Sequence, residues 1–163
     1  MSERENDVRT GTLVGGLAWW RGRSLEPPVR KLLEAKNVCI VSTIGANGSI
    51  HAIPVWVDTD GDHVLLNSVA GRTWVKNLER DPRVTCTVVQ SGNLYEFVEI
   101  RGRVLLLTHE GAEEHIHRLA KKYLDLDVYP WLRPEDPRVL FVIEPERVFH
   151  MQPGAAELEV TDQ

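Results

Sequence analysis

The sequence predicts a mostly β fold, an antiparallel β-barrel with a few α-helices. Short apolar runs separated by turn residues recur along the chain, whereas helical spacing occurs in only a few stretches. Many strands with few helices between them favour an antiparallel barrel over a parallel α/β sheet. The runs at 38–44 and 50–57 are apolar on both faces, so we expect one face to line the barrel and the other to be covered by a helix or a partner subunit.

Local signals place the individual elements. Pro28 suits the first turn of a helix, Asn47-Gly48 is typical of a hairpin, Pro82 ends a helix and Thr108 is a candidate N-cap. The predicted elements are a helix at 28–35, strands at 38–44, 50–57 and 63–68, a helix at 71–81, strands at 84–90 and 95–107, a helix at 108–123, and strands at 139–143 and 147–151.

Three regions are predicted along the chain. Residues 1–24 combine charges, a Gly-Gly pair and the adjacent Trp19 and Trp20, a composition typical of a loosely held arm. The two tryptophans need a surface to rest on, either their own domain or a second subunit. Residues 25–152 form the predicted barrel domain, and residues 153–163 form a predicted flexible tail.

Length, charge and hydropathy restrict the class of protein. The 163 residues suit one domain, and 42% hydrophobic with 26% charged residues is an ordinary globular composition. Acidic residues outnumber basic ones 24 to 19, which argues against a nucleic-acid partner. The apolar runs are far shorter than the ~20 residues that span a bilayer, and residues 1–10 lack an export signal, so we expect a cytoplasmic protein without a membrane partner.

The cysteines and histidines do not predict a metal site. Cys39 and Cys86 each lie in an apolar strand-like run, so we expect buried thiols. His115 and His117 are two residues apart on a predicted helix and therefore point to different faces, and the remaining histidines lie in separate elements. No Gly-x-Ser-x-Gly elbow, Walker loop or paired-cysteine pattern occurs.

Residues 67–78 join a strand end, a glycine and a helix start. Unpaired N–H groups and the helix dipole make such a junction suitable for an anion. Arg72 and Lys76, four residues apart, would project from one helix face, and a phosphate there would also meet the Ser68 hydroxyl. The alternative, which spacing alone favours, is an ordinary solvated helix face with Lys76 paired to Glu79 or Arg72 standing free.

Two residues interrupt the strand patterns. Pro54 removes one ladder donor, as expected at a bulge, at a simple edge strand, or where a planar ring lies alongside in place of a strand. Gly102 permits a bulge or the close approach of another backbone.

Several short segments occur in an order typical of one family. They are Val-Ser-Thr-Ile at 41–44, Gly48, Pro-Val-Trp-Val at 54–57, Asp-Gly at 60–61, Asn-Leu at 77–78, Asp-Pro-Arg-Val at 81–84 and Glu-Ile-Arg-Gly-Arg-Val at 99–104. Over about residues 28–150, the chain resembles the pyridoxamine 5′-phosphate oxidase-like split β-barrel proteins. Within them it is most similar to actinobacterial flavin/deazaflavin oxidoreductases that use coenzyme F420.

The resemblance implies a six-stranded antiparallel split β-barrel that forms a homodimer, with each cofactor in a groove at the subunit interface. The implied cofactor is coenzyme F420, with FMN as the alternative. By position, the residues implied to border the ring and its side chain are Ser42, Thr43, Ile53, Pro54, Val55, Trp56, Asn67 and Ser68. Those implied to serve the phosphate are Arg72, Lys76 and Asn77.

Trp74 departs from the family pattern, because many relatives have a phosphate-binding lysine at its position. Three explanations are open: Lys76 or Arg72 compensates, Trp74 stacks on a ring, or the pocket has lost its original ligand. The true pyridoxamine phosphate oxidases end in an Arg-Leu-Ala-Pro-like segment, whereas this chain has His-Met-Gln-Pro at 150–153. Vitamin B6 oxidation is therefore not expected.

The resemblance implies an oxidoreductase that transfers a hydride from F420 to an electron-poor unsaturated small molecule. The alternatives are an FMN-dependent oxidoreductase, a protein that binds or stores flavin, F420 or haem without catalysis, and a barrel that has lost its ligand and acts through the Trp19-Trp20 arm. Because the cofactor carries the hard chemistry, no catalytic side chain is predicted. His51 and Arg101 are candidate proton donors only where the fold places them over the ring.

Overall fold

A computed structural model describes residues 9–12 and 17–153 of the chain. Its strands are β1 (Arg9–Thr12), β2 (Leu17–Gly22), β3 (Val38–Ile44), β4 (Ile50–Val55), β5 (Asp58–Thr59), β6 (Val64–Val69), β7 (Arg83–Val89), β8 (Phe97–Thr108) and β9 (Arg138–Pro153). Its helices are α1 (Pro27–Glu34), α2 (Thr73–Arg80) and α3 (Ala112–Leu124). None of these helices has the length and apolar character needed to cross a bilayer. The predicted mostly β fold is confirmed.

The strands form one antiparallel sheet that curls into a split barrel. Its main path runs β1-β2-β9-β8-β7-β3-β4, and β6 pairs with β9 and with the short β5. Of the seven strands predicted from local signals, the first five correspond to β3, β4, β6, β7 and β8, and the last two both lie in β9. These six observed strands equal in number those of the split barrel that the resemblance implies. The barrel is open between β4 and β6, since no ladder joins these two strands in the described part of the chain.

The long strand β9 connects the two halves of the sheet. Residues 138–143 pair with β6, and residues 148–153 pair with β2, while β8 runs along both halves. The sequence predicted two strands here, but the pairing with β8 continues through the residues between them with a register shift at Gly102. A Cβ atom on Gly102 would lie 2.3 Å from the carbonyl oxygen of Glu144. The predicted close approach at this glycine is therefore confirmed.

Two predicted boundaries, the start of α3 and the end of β4, are wrong because the backbone groups there form hydrogen bonds with other parts of the protein. Thr108 does not cap α3; it is the last residue of β8 and pairs with Leu140, and the N-cap is Gly111 with a φ of 75°. The strand predicted at 50–57 ends at Val55. The Val57 N–H donates instead to the hydroxyl of Tyr123 on α3, at 3.1 Å.

The segment 17–22 is a strand, so the prediction of a loosely held arm is wrong for it. β2 pairs along β9, and β1 pairs along β2. Trp19 stacks on Phe149, with ring centroids 6.4 Å apart, and Trp20 packs against the barrel core. The surface on which both tryptophans rest is therefore their own domain. Residues 1–8, 13–16 and 154–163 lie outside the described residues, and the predicted division at 1–24, 25–152 and 153–163 stays a prediction.

The core fills the barrel between the strands and helices α1 and α2. Its members include Leu33, Val41, Trp74, Ile100 and Phe141. A second, smaller cluster lies beneath the loop that follows α3 and contains Trp56, Ile116, Leu119, Tyr123, Tyr129 and Leu132. Cys39 and Cys86 are both fully buried free thiols, as predicted.

Candidate functional site

The start of α2 presents two cations to solvent. Gly71 adopts a φ of +88°, and Arg72 is the N-cap without any side-chain capping bond. Lys76 donates its backbone N–H to the Arg72 carbonyl at 3.0 Å, so both side chains lie on one exposed helix face, as predicted. Ser68, the third predicted phosphate contact, is buried on β6. The residues of α2 that face the core are Trp74, Val75, Asn77 and Leu78.

A second arginine lies near the turn that leads into α2, because the Ala70 N–H donates to the Pro137 carbonyl at 2.9 Å. Arg138, at the start of β9, pairs with Val69 and donates from Nε to the Oδ1 atom of Asn67 at 2.9 Å. Its guanidinium stands 5.3 Å from the Tyr129 ring centroid. Burial lowers the pKa of Arg138, and the nearby positive charge of Arg72 lowers it further. The two guanidinium groups therefore repel each other, and an anion between them would relieve that repulsion. No local sequence signal identifies Arg138, because its position depends on the register between distant strands.

Asn67 holds Arg138 through a buried polar network. Its Nδ2 atom donates to the Ala112 carbonyl at 2.8 Å and lies 3.2 Å from the Nδ1 atom of His115. The fully buried His115 places Nε2 3.2 Å from Asp58 Oδ2, so Nε2 donates to the carboxylate in the tautomer whose Nδ1 accepts from Asn67. Burial alone would raise the pKa of Asp58, but the hydrogen bond with His115 and one from a backbone N–H hold it below its ordinary value. Both ends of the Asn67 amide are therefore engaged by the protein itself.

Asn77 and Thr43 do not join the exposed cations. Asn77 Nδ2 donates to Thr43 Oγ1 at 3.0 Å, and Asn77 Oδ1 accepts from Arg80 at 3.1 Å. Both side chains are buried. Because its amide already bonds inside the protein, Asn77 links α2 to β3, and its predicted contact with a phosphate is not supported by this placement.

The predicted ring contacts on β3 and β4 fall on two faces of the sheet. Thr43, Ile53 and Val55 lie on the barrel side, whereas Ser42 and Pro54 lie on the other side. One flat ring can approach both groups only across the edge of β4, which pairs with β3 alone among the described strands. Pro54 thus lies in an edge strand, the plainer of the explanations for its position.

Two tryptophans predicted to contact a ring are already packed within the protein. Trp74 is only 2% exposed and packs on Phe141, with ring centroids 5.0 Å apart. Stacking of Trp74 on a bound ring is therefore wrong for this structure, because helical periodicity turns this residue into the core. Trp56 is half-buried and stacks on Tyr123 at 5.0 Å with an interplanar angle of 3°.

The two candidate proton donors lie far apart in the sheet order. His51 is half-buried on the barrel side of β4, opposite Thr43. Arg101 is exposed on β8 and donates to Glu99 at 2.7 Å. Within residues 9–12 and 17–153, no group of three His, Cys, Asp or Glu side chains could hold a metal ion.

A separate groove of about 820 Å³, here called the arginine groove, lies on β1, β2, β8 and β9. None of the residues predicted to contact a cofactor lines it. Its lining residues are Arg9, Arg21, Gly22, Arg23, Phe97, Glu99, Arg101, Arg147, Val148 and Phe149.

Several solved structures share the fold. An F420 reductase superposes with a TM-score of 0.66 at 22% identity, over 73% of this chain and 94% of the other. A conserved hypothetical protein from Mycobacterium tuberculosis gives a TM-score of 0.63 at 21% identity, over 85% and 89% of the two chains. General Stress Protein 26 from Bacillus anthracis gives 0.58 at 16% identity, over 76% and 90%. At these identities the likeness concerns the fold alone.

The sequence itself establishes the family. No curated protein matches the chain. Residues 25–152, however, match the family described as pyridoxamine 5′-phosphate oxidase, and this match covers most of the sequence and the whole split barrel. The chain therefore belongs to the pyridoxamine 5′-phosphate oxidase family.

Proposed function

We propose that the protein is a coenzyme F420-dependent oxidoreductase that reduces an electron-poor unsaturated small molecule. We further propose that it acts as a homodimer with the cofactor at the subunit interface. The family is one of flavin-type oxidoreductases, and one protein of the same fold is an F420 reductase. The observation that carries the proposal is the placement of Arg138, which pairs with Val69 on β6, close to the chain segment that leads into Arg72 at the start of α2.

The residues at the start of α2 fit a phosphate group. Arg72 and Lys76 extend from the first turn, and Arg138 approaches from β9. The N–H groups of residues 73–75 precede the first helical hydrogen bond, which Lys76 donates. Charge-assisted hydrogen bonds and the helix dipole both favour an anion in this position. Three cations thus replace the lysine that Trp74 displaces.

The open side of the barrel fits the flat part of the cofactor. β4 is an edge strand, and Pro54 has no N–H that would need a partner there. Ile53 and Val55 add half-buried apolar surface on the barrel side. When bound, reduced F420 supplies a hydride, so the task of these residues is to bind and orient and to exclude water.

Equilibrium binding tests the proposal. Purified protein is titrated with F420 and with FMN, following absorbance or ring fluorescence, together with Arg72→Gln and Arg138→Gln. We expect preferential binding of F420, weakened by about tenfold in either variant, because each removes a charge-assisted contact. The matched control is Arg118→Gln, an exposed arginine on α3, which should leave affinity unchanged. Tighter binding of FMN than of F420, or no binding of either, would overturn the cofactor assignment.

Turnover tests the enzymatic part. Reduced F420 is supplied with a panel of enones, quinones and tetrapyrroles, and oxidation of the cofactor is followed with and without protein. We expect protein-dependent oxidation of the cofactor with at least one substrate class. In Arg72→Gln the rate of this oxidation should fall by about the same factor as the affinity for F420. Tight F420 binding without turnover of any substrate would instead establish a protein that binds or stores the cofactor.

A further inference from the structure

The arginine groove arises from the register of four neighbouring strands. Arg9 pairs with Arg21 across β1 and β2, Arg21 pairs with Phe149 on β9, and Phe149 pairs with Glu99 on β8. Directly paired residues of antiparallel strands project to the same face of a sheet. One row of side chains therefore crosses all four strands on the face away from the barrel core.

A second row lies beside the first. Arg101 pairs with Arg147 across β8 and β9, and both side chains are exposed. Two like charges directly opposite each other destabilise a sheet. Glu99 binds Arg101 at 2.7 Å and offsets part of this repulsion, but no acidic partner of Arg147 lines the groove among the described residues.

The groove concentrates positive charge in an acidic protein. Among the described residues, five arginines and one glutamate line it, whereas the whole chain carries a net charge of −5. All the cations that line the described groove are arginines, and none is a lysine. The planar guanidinium fork matches carboxylate and phosphate groups in a bidentate manner, whereas lysine acts as a point charge. This composition is that of a recognition site more than that of a solubilising surface.

The aromatic residues restrict the groove to a small ligand with an organic part. Phe97 and Phe149 form an apolar wall with ring centroids 6.0 Å apart. The Arg21 guanidinium is held 5.2 Å from the Phe149 ring and 5.4 Å from the Trp19 ring, so its position is fixed in advance. The volume of about 820 Å³ lies within the range of small-molecule sites.

We propose that the arginine groove binds a small organic polyanion, a ligand that carries two or more phosphate or carboxylate groups on an apolar body. None of its lining residues belongs to α2, β4 or β6, so the proposal does not depend on the cofactor assigned to the other site. The two proposed anion sites are therefore distinct. One lies at the start of α2, and the other lies across β1, β2, β8 and β9.

The experiment measures binding of three probes to the full chain: ATP in the presence of a chelator, inorganic tripolyphosphate, and citrate. Calorimetry gives the Kd, and tryptophan fluorescence reports locally because Trp19 contacts Arg21. The variant Arg101→Gln/Arg147→Gln removes two exposed arginines of the groove. The matched control is Arg103→Gln on the same strand, an exposed arginine that binds Glu146 and does not line the groove.

We expect ATP to bind more tightly than tripolyphosphate, and the double variant to weaken ATP binding by at least about tenfold, with the control within about twofold. Affinity should fall steeply with added salt. Arg72→Gln should leave ATP affinity unchanged, which separates this site from the start of α2. The proposed site would be contradicted by equal losses of ATP affinity in the double variant and in Arg103→Gln. The absence of binding by all three probes would contradict it as well. Equal affinity for ATP and tripolyphosphate would overturn the role of the phenylalanine wall.

Discussion

The carboxamide of Asn77 donates a hydrogen bond to the Thr43 hydroxyl at 3.0 Å, joining α2 to β3 between two buried side chains. Arg80 reinforces the same contact, because its guanidinium donates to Asn77 Oδ1 at 3.1 Å and to the Ile44 carbonyl at 2.7 Å. These bonds hold α2 at the barrel, so the position of Arg72 and Lys76 depends on them.

Asn77→Ala should lower the free energy of unfolding by about 1–3 kcal/mol, because it leaves the buried Thr43 hydroxyl without its partner. Urea unfolding measures the change. Thr73→Ala, an exposed position on the same helix, is the control and should stay within about 0.5 kcal/mol of wild type. An Asn77→Ala protein of unchanged stability that no longer binds F420 would show that Asn77 contacts the phosphate after all.

Trp74→Lys introduces the residue type that the resemblance led us to expect at this position, but it should not create a phosphate contact. The side chain is 2% exposed and packs on Phe141, so the change removes a buried ring and introduces a charge into the core. We expect a loss of at least about 3 kcal/mol in unfolding free energy. Trp74→Phe keeps an apolar ring and should lose less. A stable Trp74→Lys protein with tighter F420 binding would contradict this placement of residue 74.

Local patterns in the sequence were enough to predict the elements of the barrel. Helical spacing indicated α1, α2 and α3, and the Asn47-Gly48 pair indicated the β3–β4 hairpin. The core position of Cys39 and Cys86 followed from their apolar neighbours. Each of these signals depends on residues close together in the chain.

Features that depend on distant pairing could not be predicted. Arg138 reaches Asn67 across 71 residues of sequence, through the register of β6 with β9. The strand β2 was missed because its partner β9 lies at the far end of the barrel domain. The amides of Asn67 and Asn77 were assigned to a ligand because the sequence does not show which protein groups they bond.

Gly102→Ala should destabilise the protein by about 1–3 kcal/mol. The new Cβ would lie 2.3 Å from the Glu144 carbonyl oxygen, and because that atom belongs to the backbone, β8 and β9 would have to separate. Gly92→Ala is the control, since its Cβ would lie no closer than 3.4 Å to the Gln90 side chain. Thermal or urea unfolding of both variants measures the difference, and equal stabilities would contradict the close approach.

Alkaline pH should weaken the fold through Cys39. A hydrogen bond with Cys86 and complete burial raise the pKa of Cys39 well above its ordinary value of 9.0. The native state keeps this proton where the unfolded state loses it, so the free energy of unfolding falls as the pH rises through this ordinary value. Cys39→Ala should show a shallower fall in urea unfolding with reductant between about pH 8 and 10. The same dependence of unfolding free energy on pH in wild type and Cys39→Ala would contradict the raised pKa of Cys39.

The pairing of β9 also determines when the protein can fold. β2, β6 and β8 all pair with residues 138–153, and Leu17 lies opposite Pro153. The chain is synthesised from its N-terminus. These three strands therefore lack their common partner until nearly the whole barrel has been synthesised. Such distant pairing slows folding and leaves strand edges open to other chains in the interval. The barrel therefore cannot close before β9 has been translated, and until then the strand edges that pair with β9 stay exposed.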